Sequence, residues 1–294
     1  LLTMSTITCS NSLRRWTISN YQDDRYVLIG HGPFLELFDI DQFLRDDFNA
    51  REYNPNKTRV FTTDVQDQFV FKDTGHVLAV TSDINYKKGV FIIQACLIHR
   101  ELLLEGGYVD TSSAHMLHCG PATNRKYLLR ALPNTTEFLL LTELALTHYR
   151  HTIQENSEVI FEIVEKFDVQ SLLPSQFCNR TIYPLSLAPS SKYSFIIKVD
   201  FIIILLKLEV TKWMCRMTKD NDETRVVQMI PELEIAVLSG KKFINFISTE
   251  SQQKGLSKDQ IRVFHEEKDI GAITRIITYV VQNGFAHVYV LSDE

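Results

Sequence analysis

The stretch "YSFIIKVDFIIILLKLEV", residues 193–210, is the most apolar in the chain, and its reading decides the fold. A helix that crosses a bilayer needs about 20 predominantly apolar residues. Here Lys198 and Asp200 interrupt the middle and Lys207 and Glu209 follow, so the uncharged run 201–206 is too short to span. A buried helix would fit by length. However, Ile196, Ile197, Val199, Ile202, Ile203 and Ile204 are β-branched, and such side chains favour strands. Leu206, Leu208 and Val210 alternate with Lys207 and Glu209, the period of a half-buried strand. The segment reads as a hairpin with arms over 193–198 and 201–209 and a turn near Val199-Asp200. Tight primed turns favour glycine, and none is present, so a longer or irregular link is expected there.

The same shape recurs five more times. "RYVLIGHGPFLELFDI" (25–40) sets Gly30-His31-Gly32 between apolar arms, and "HVLAVTSDINYKKGVFIIQAC" (76–96) has a polar link over 82–89. "EFLLLTELALTHYR" (137–150) turns near Thr142-Glu143, and "ELEIAVLSGKKFINFI" (232–247) turns at Ser239-Gly240-Lys241. "ITRIITYVVQNGFAHVYVLS" (273–292) turns at Asn283-Gly284, a strong hairpin signal. Further strand-like runs lie at 159–164 and 226–229. The later turns are roughly 40 to 56 residues apart, the range of a four-stranded propeller blade. Helix is scarce: "SKDQIRVFHEE" (257–267) has a capping pair in Ser257 and Gln260, and "DQFLRDDFNARE" (41–52) is a weaker candidate. The expected fold is all-β: a WD40-like β-propeller with irregular blades, complete or partial. A β-sandwich is the alternative that hairpin patterns leave open. The Gly-His and Trp-Asp marks that open and close WD blades do not frame these repeats. The expected organisation is one propeller over residues 1–294, or a propeller piece of a longer multi-propeller chain.

The composition suits a soluble globular protein, with 45% hydrophobic and 23% charged residues. Lys plus Arg number 31 and Asp plus Glu 36, a net charge of −5, and basic residues cluster no further than pairs such as Lys87-Lys88. Strong direct binding to a nucleic-acid backbone needs clustered cations, so contact with nucleic acid is expected to be indirect. Five cysteines without CxxC spacing argue for a reducing compartment. Sequons stand at Asn56, Asn134 and Asn179, a tripeptide common by chance, and "LLTMST" lacks the features of a signal peptide.

Each local motif that suggests chemistry is incomplete. In "GHG" (30–32) the third glycine of a dinucleotide loop would be Leu35, and Pro33 leads into a strand, so a hairpin turn is expected. "HMLHC" offers His115, His118 and Cys119 without a fourth zinc ligand, and Gly120-Pro121 argues for a loop. "HEEKD" has Asp269 where a metalloprotease needs its second histidine. "DNDE" (220–223) has Arg225 where a calcium loop needs glycine, and reads as a solvated link between strands. No GxSxG elbow or GxxxxGK[ST] loop occurs. No catalytic, cofactor-binding or metal residue is therefore assigned, and no partner-binding residue either. Trp16, Tyr21 and Tyr53 lie in polar surroundings, where an ordinary surface or inter-blade position is expected over an interface.

Over residues 137–250 the order of elements resembles the N-terminal propeller region of a family of multi-propeller proteins. That family includes the large damage-specific DNA-binding protein, its fungal Mms-type relatives and the cleavage-and-polyadenylation large subunit. Residues 192–197 (KYSFII) stand for the first arm, 201–209 for the second, and 235–240 (IAVLSG) for the later glycine-bearing turn. The family's Gly-Asp and Gly-Arg at the first turn are replaced by Lys198, Val199, Asp200 and Phe201, and Gly240 alone remains at the second. The stretch "YVLIGHGPFLELFDI" is also similar to the opening hairpin of propeller proteins that assist tRNA methylation. The resemblance implies a non-catalytic scaffold or adaptor, nuclear or nucleo-cytoplasmic, that joins protein partners to a cullin ubiquitin ligase in genome maintenance. Neither a cofactor nor a membrane enters this reading. The alternatives are a subunit of an RNA-processing or tRNA-modification complex, and a propeller enzyme with its site at the central channel.

Overall fold

The computed structural model describes residues 17–21, 25–43, 55–61, 63–109, 114–121, 126–133, 135–154, 158–188, 193–220, 224, 226–230, 234–239, 244–248, 273–282 and 285–292. The chain divides into two compact units, Leu1–Ala122 and Thr123–Glu294. Both are built from antiparallel meanders, so the chain is all-β apart from short helices, with sheets of the propeller-blade kind.

The first unit runs β1 (Thr17–Tyr21), β2 (Tyr26–His31), β3 (Phe34–Asp39), α1 (Ile40–Phe43), β4 (Asn56–Arg59), β5 (Asp67–Phe71), β6 (His76–Asn85), β7 (Val90–Ile98), α2 (Arg100–Glu105), β8 (Gly107–Tyr108) and β9 (His115–Pro121). Its first sheet is β1-β2-β3-β4 with β8 added in parallel to β4, and its second is β5-β6-β7-β9. Period-2 alternation turns Leu28, Leu35 and Leu37 of the first sheet toward Val77, Ala79, Cys96 and Ile98 of the second. Polar contacts join the sheets: Gln68 Nε2 donates to the Leu28 carbonyl at 2.9 Å and to Ser19 Oγ at 3.3 Å, and the Tyr21 hydroxyl donates to the Gly75 carbonyl at 2.8 Å. Tyr21 therefore has the inter-blade position. Trp16 and Tyr53 lie outside the described residues.

The second unit holds β10 (Leu128–Ala131), β11 (Glu137–Leu141), β12 (Ala145–Ile153), β13 (Val159–Asp168), β14 (Ile182–Leu187), β15 (Ser194–Val199), β16 (Ile202–Glu209), β17 (Lys212–Lys219), β18 (Val226–Ile230), β19 (Ile235–Ser239), β20 (Ile244–Ser248), β21 (Ile273–Gln282) and β22 (Phe285–Ser292). They form sheets β10 to β13, β14 to β17, β18 to β20 and β21-β22, each in sequence order. The first strands β10, β14, β18 and β21 are neighbours in succession, as β1 and β5 are in the first unit. First strands side by side and last strands outermost is how consecutive blades pack.

The hairpin β15–β16 sits between two sheets. Phe195, Ile197, Val199, Ile204 and Leu206 pack with Leu139, Leu141 and Leu146 of the preceding sheet. Ile196, Ile203 and Leu205 pack with Val227, Met229, Ala236 and Leu238 of the following one. Burial on both faces explains why the segment reads as continuous apolar sequence rather than strict alternation. The turn departs from expectation. Val199 pairs with Ile202, so Asp200-Phe201 is a tight two-residue turn, not a longer link, and Asp200 takes φ 51. Aspartate tolerates the left-handed region better than most residues. Strain of about 1–3 kcal/mol is small beside about 1.5–3 kcal/mol for each buried aliphatic side chain. Eight apolar side chains of these two strands are buried, so packing wins.

All six hairpins are present, although turn residues 240–243 and 283–284 lie outside the described residues. The "GHG" segment is a hairpin, as expected, with Gly32-Pro33 as its two-residue turn and Gly32 at φ 51. The polar link at 82–89 shortens to 86–89, because Ser82 to Asn85 extend β6 against β7. "HMLHC" is strand β9 rather than a loop: it pairs with β7, and Pro121 costs no ladder bond at the end of an outer strand. Helix α1 takes the start of "DQFLRDDFNARE", while 44–52 and "SKDQIRVFHEE" lie outside the described residues. Helix α2 was not anticipated; Arg, Glu and three leucines are good helix formers, and Leu103 is its buried anchor.

The β16–β17 turn supplies a test of local strain. Glu209 pairs with Lys212, and Val210 takes φ 55 while 98% exposed. A β-branched residue there gains nothing from burial and pays for its Cβ. Val210→Gly is expected to stabilise the protein by about 1 kcal/mol, read as a higher midpoint in urea unfolding; a lower midpoint would contradict the strain.

Candidate functional site

In three sheets the residue after the fourth strand adds one more rung to the ladder. Val60 N donates to Pro33 O at 2.9 Å, Val169 N to Leu144 O at 3.0 Å, and Asp220 N to Phe201 O at 2.7 Å. Each acceptor is the last residue of the turn joining the second and third strands. That turn and the departing link to the next sheet thus share one end of each sheet.

These turn tips carry large apolar side chains. Phe201 is 71% exposed and Leu144 44% in the second unit, and Tyr86 is 78% exposed on the β6–β7 turn of the first. Turn positions normally take Gly, Asn, Asp, Pro or Ser. Arg180 reaches the same turn, its Nε 3.8 Å from Asp200 Oδ2, and Tyr183 of β14, across the strand from Lys198, is also exposed. Exposed aromatics next to an arginine have the composition of protein-binding hot spots. The sequence reading assigned no such residue. The available signal was apolar residues in turns, which pattern-based reading absorbs into the neighbouring strands.

Behind the Phe201 turn lies a partly buried ion pair. Lys198 Nζ donates to Asp220 Oδ2 at 2.6 Å, and Thr224 donates from N and Oγ1 to Asp220 Oδ1, both at 2.9 Å. Asp220 opens the "DNDE" segment, which was expected to be solvated; it is instead 6% exposed. Burial pushes its carboxyl up, but the bonds from Lys198 and Thr224 outweigh that and hold it below its ordinary value of 3.8. The pair ties β15 to the link that follows β17 and so braces the turn from behind.

A second polar cluster joins the third sheet to the fourth. His148 on β12 contacts the Tyr193 hydroxyl through Nδ1 at 2.7 Å and Glu137 Oε2 through Nε2 at 2.9 Å, and Arg150 Nε donates to Glu137 Oε1 at 2.8 Å. Burial raises Glu137, yet Arg150 and His148 together hold it low. Burial, then the Glu165 carboxylate, pushes the Tyr193 hydroxyl well up. A histidine between a tyrosine and a carboxylate resembles a proton relay. Its buried place between sheets makes it a clamp, with the tyrosine held as a neutral hydroxyl.

His31 Nε2 meets Glu36 Oε1 at 3.0 Å, and Lys57 Nζ meets the same oxygen at 2.7 Å, a surface network around the first hairpin. His115, His118 and Cys119 lie along β9, and "HEEKD" lies outside the described residues. Among the described residues no group of three or more His, Cys, Asp or Glu is placed to hold a metal, and no helix is long and apolar enough to cross a membrane. The Asn56 sequon is occupied by structure: its Nδ2 donates to Leu104 O, and Thr58 is fully buried and donates to Leu102 O at 3.2 Å.

No protein-family model matches the chain, and no curated protein matches it. Among solved structures it is similar to the Myceliophthora thermophila Cps50 (Swd1) β-propeller domain, at 10% identity over 78% of this chain and 81% of that one, with a TM-score of 0.39. It is also similar to the WD40 domain of SCAP from fission yeast, at 10% identity over 85% of this chain and 56% of that one, with a TM-score of 0.41. The chain thus spans just over half the length of the SCAP domain. The blade assignment rests on the repeated four-stranded meander, its added rung and the succession of first strands.

Two measurements test the polar clusters. The stability contributed by Asp220 is fully present above 3.8, its ordinary value, and is lost as pH falls through its lower folded value. Asp220→Asn is therefore expected to lower stability at neutral pH by about 2–3 kcal/mol and to flatten the acid limb of the unfolding free energy against pH. Tyr193→Phe removes the partner of His148 Nδ1 and is expected to cost about 1–3 kcal/mol in urea unfolding; an unchanged midpoint would show that the cluster does not clamp the sheets.

Proposed function

We propose that the protein is a non-catalytic scaffold that binds other proteins through the turn-tip face of its sheets. What supports the reading is one observation: Phe201 and Leu144 stand exposed on turns that are each fastened by a backbone bond from the residue after the fourth strand, with the Lys198–Asp220 pair behind Phe201. A rigid support keeps the ordering cost of binding low, and a large apolar side chain in water gains most when covered. Hydrolytic or redox chemistry would need ionisable groups gathered in a cleft. The clusters described above are instead used between and within sheets.

The finer reading is an adaptor of nuclear or nucleo-cytoplasmic location that brings partners to a cullin-type ubiquitin ligase in genome maintenance, as the resemblance over 137–250 implies. It commits to protein partners first, with any nucleic acid reached through them.

Affinity purification of the tagged chain tests both levels. The parent chain is expected to recover a reproducible partner set, and Phe201→Asp with Leu144→Asp to weaken recovery about thirtyfold, as expected when a hot spot worth about 2 kcal/mol is lost. Retention of the same partners by the double variant would overturn the turn-face reading. Partners recovered without a cullin would remove the ligase role while leaving the scaffold. A steep loss of bound RNA with salt would favour the RNA-processing alternative.

A further inference from the structure

Helix α2 and strand β8 form a strap that leaves the second sheet after β7 and ends on the first. Its far end is fastened to β4. Thr58 Oγ1 donates to Leu102 O at 3.2 Å, Asn56 Nδ2 donates to Leu104 O, and Val109 N donates to Arg59 O at 2.9 Å. Gly106, at φ 76, passes so close to β4 that a Cβ would stand 3.1 Å from Lys57 O. Between the two ends Leu103 is buried in the core of this unit.

The near end is fastened by a histidine. Val77 pairs with Ile98, so His76 and His99 stand at the next rung, one at the start of β6 and one just after β7. Their rings meet edge to face with centroids 5.0 Å apart. His99 holds the N-cap position but makes no side-chain cap bond. The cap comes instead from the neighbouring strand: Arg100 N, the first amide of α2, donates to His76 Nδ1 at 3.3 Å. That bond needs an unprotonated Nδ1, so the neutral ring carries its proton on Nε2.

Protonation reverses this contact. A proton on Nδ1 faces the Arg100 N–H, donor against donor, and a charged His99 would set a second cation beside the first. The Arg100 side chain runs over Gly75, its Cδ 3.2 Å from where a Cβ there would stand, and adds positive charge at the same end of the helix. Glu101 is the helix charge that favours an imidazolium. The β5–β6 turn carries Lys72 and Asp73, both exposed, and Thr74 Oγ1, which accepts from His76 N at 3.2 Å. Burial, then His99, outweighs Glu101 and holds His76 below its ordinary value of 6.5. The folded chain takes up this proton less readily than the unfolded one, so stability falls as pH drops below 6.5 toward the lower folded value.

We propose that His76 and His99 form a pH-sensitive latch: the neutral pair holds the first turn of α2, and mild acid releases it. The strap then keeps only its far fastening to β4. The device lies within the first unit and does not depend on the turn-tip role.

Hydrogen exchange of the full chain tests the latch at about pH 7.5 and about pH 5.5, on either side of the ordinary histidine value, with the intrinsic pH dependence of exchange corrected. Protection of residues 100–105 is expected to fall about threefold to tenfold at the lower pH, the usual worth of one hydrogen bond. Protection of β15 and β16 is expected to stay unchanged. His76→Asn keeps an acceptor without a basic ring, and its protection is expected to be equal at both values. His99→Asn removes the second cation and is expected to shrink the fall. NMR titration of the His76 ring in the parent chain needs no variant: the loss of protection is expected to follow its midpoint, which lies below 6.5. Unchanged protection of 100–105, an undiminished fall in either variant, or a loss that does not follow the His76 midpoint would each overturn the proposal.

Discussion

Strands β15 and β16 have no face left for water. Five of their side chains join the core shared with the third sheet and three join the core shared with the fifth. A hairpin this apolar, folded alone, would expose one face at a cost of about 1.5–3 kcal/mol for each large side chain. Neighbouring sheets must therefore cover it on both sides, and each covering sheet has its own second face to bury. That chain of requirements produces a succession of stacked sheets rather than a single half-wet one. The strained turn at Asp200 is tolerated because it is small beside this burial.

Polar contacts give the stack its register. Apolar surfaces slide at little cost, whereas a buried donor must meet its acceptor. Between the first and second sheets Gln68 reaches the Leu28 carbonyl; between the third and fourth His148 meets Tyr193; between the fourth and fifth Met229 N donates to Ser186 Oγ at 3.2 Å. These fastenings fall at different places in their sheets. The irregular spacing of the sequence repeats fits this variety, since no shared motif is needed to fasten every blade.

The same economy separates structure from function in the charged residues. Asp220, Lys198, Glu137 and His148 are drawn into fastening. What remains outward is apolar where it is unexpected: Phe201 and Leu144 on turns, Ile163 and Val164 on an outer strand. Val210 belongs to neither group, as a strained and solvated residue with no visible partner role. These exposed positions, rather than any cluster of reactive groups, are where the surface departs from what stability alone asks.

Much of the fold was legible in the sequence. β-branched runs broken by turn residues marked all six hairpins, because side-chain period and turn chemistry are local properties. Their spacing pointed to four-stranded blades. Other features lay beyond local reading. "HMLHC" became a strand because β7 offered an edge, and Asp220 became buried because Lys198, 22 residues earlier, was carried beside it. Phe201 read as the first residue of a strand; only the pairing of Val199 with Ile202 put it at a turn tip in solvent. The sequence by itself determined strand identity and the need for burial on both faces, since these follow from residue type and period. Which charges pair and which apolar residues face water were decided by the tertiary structure, because each depends on what a distant segment brings into contact.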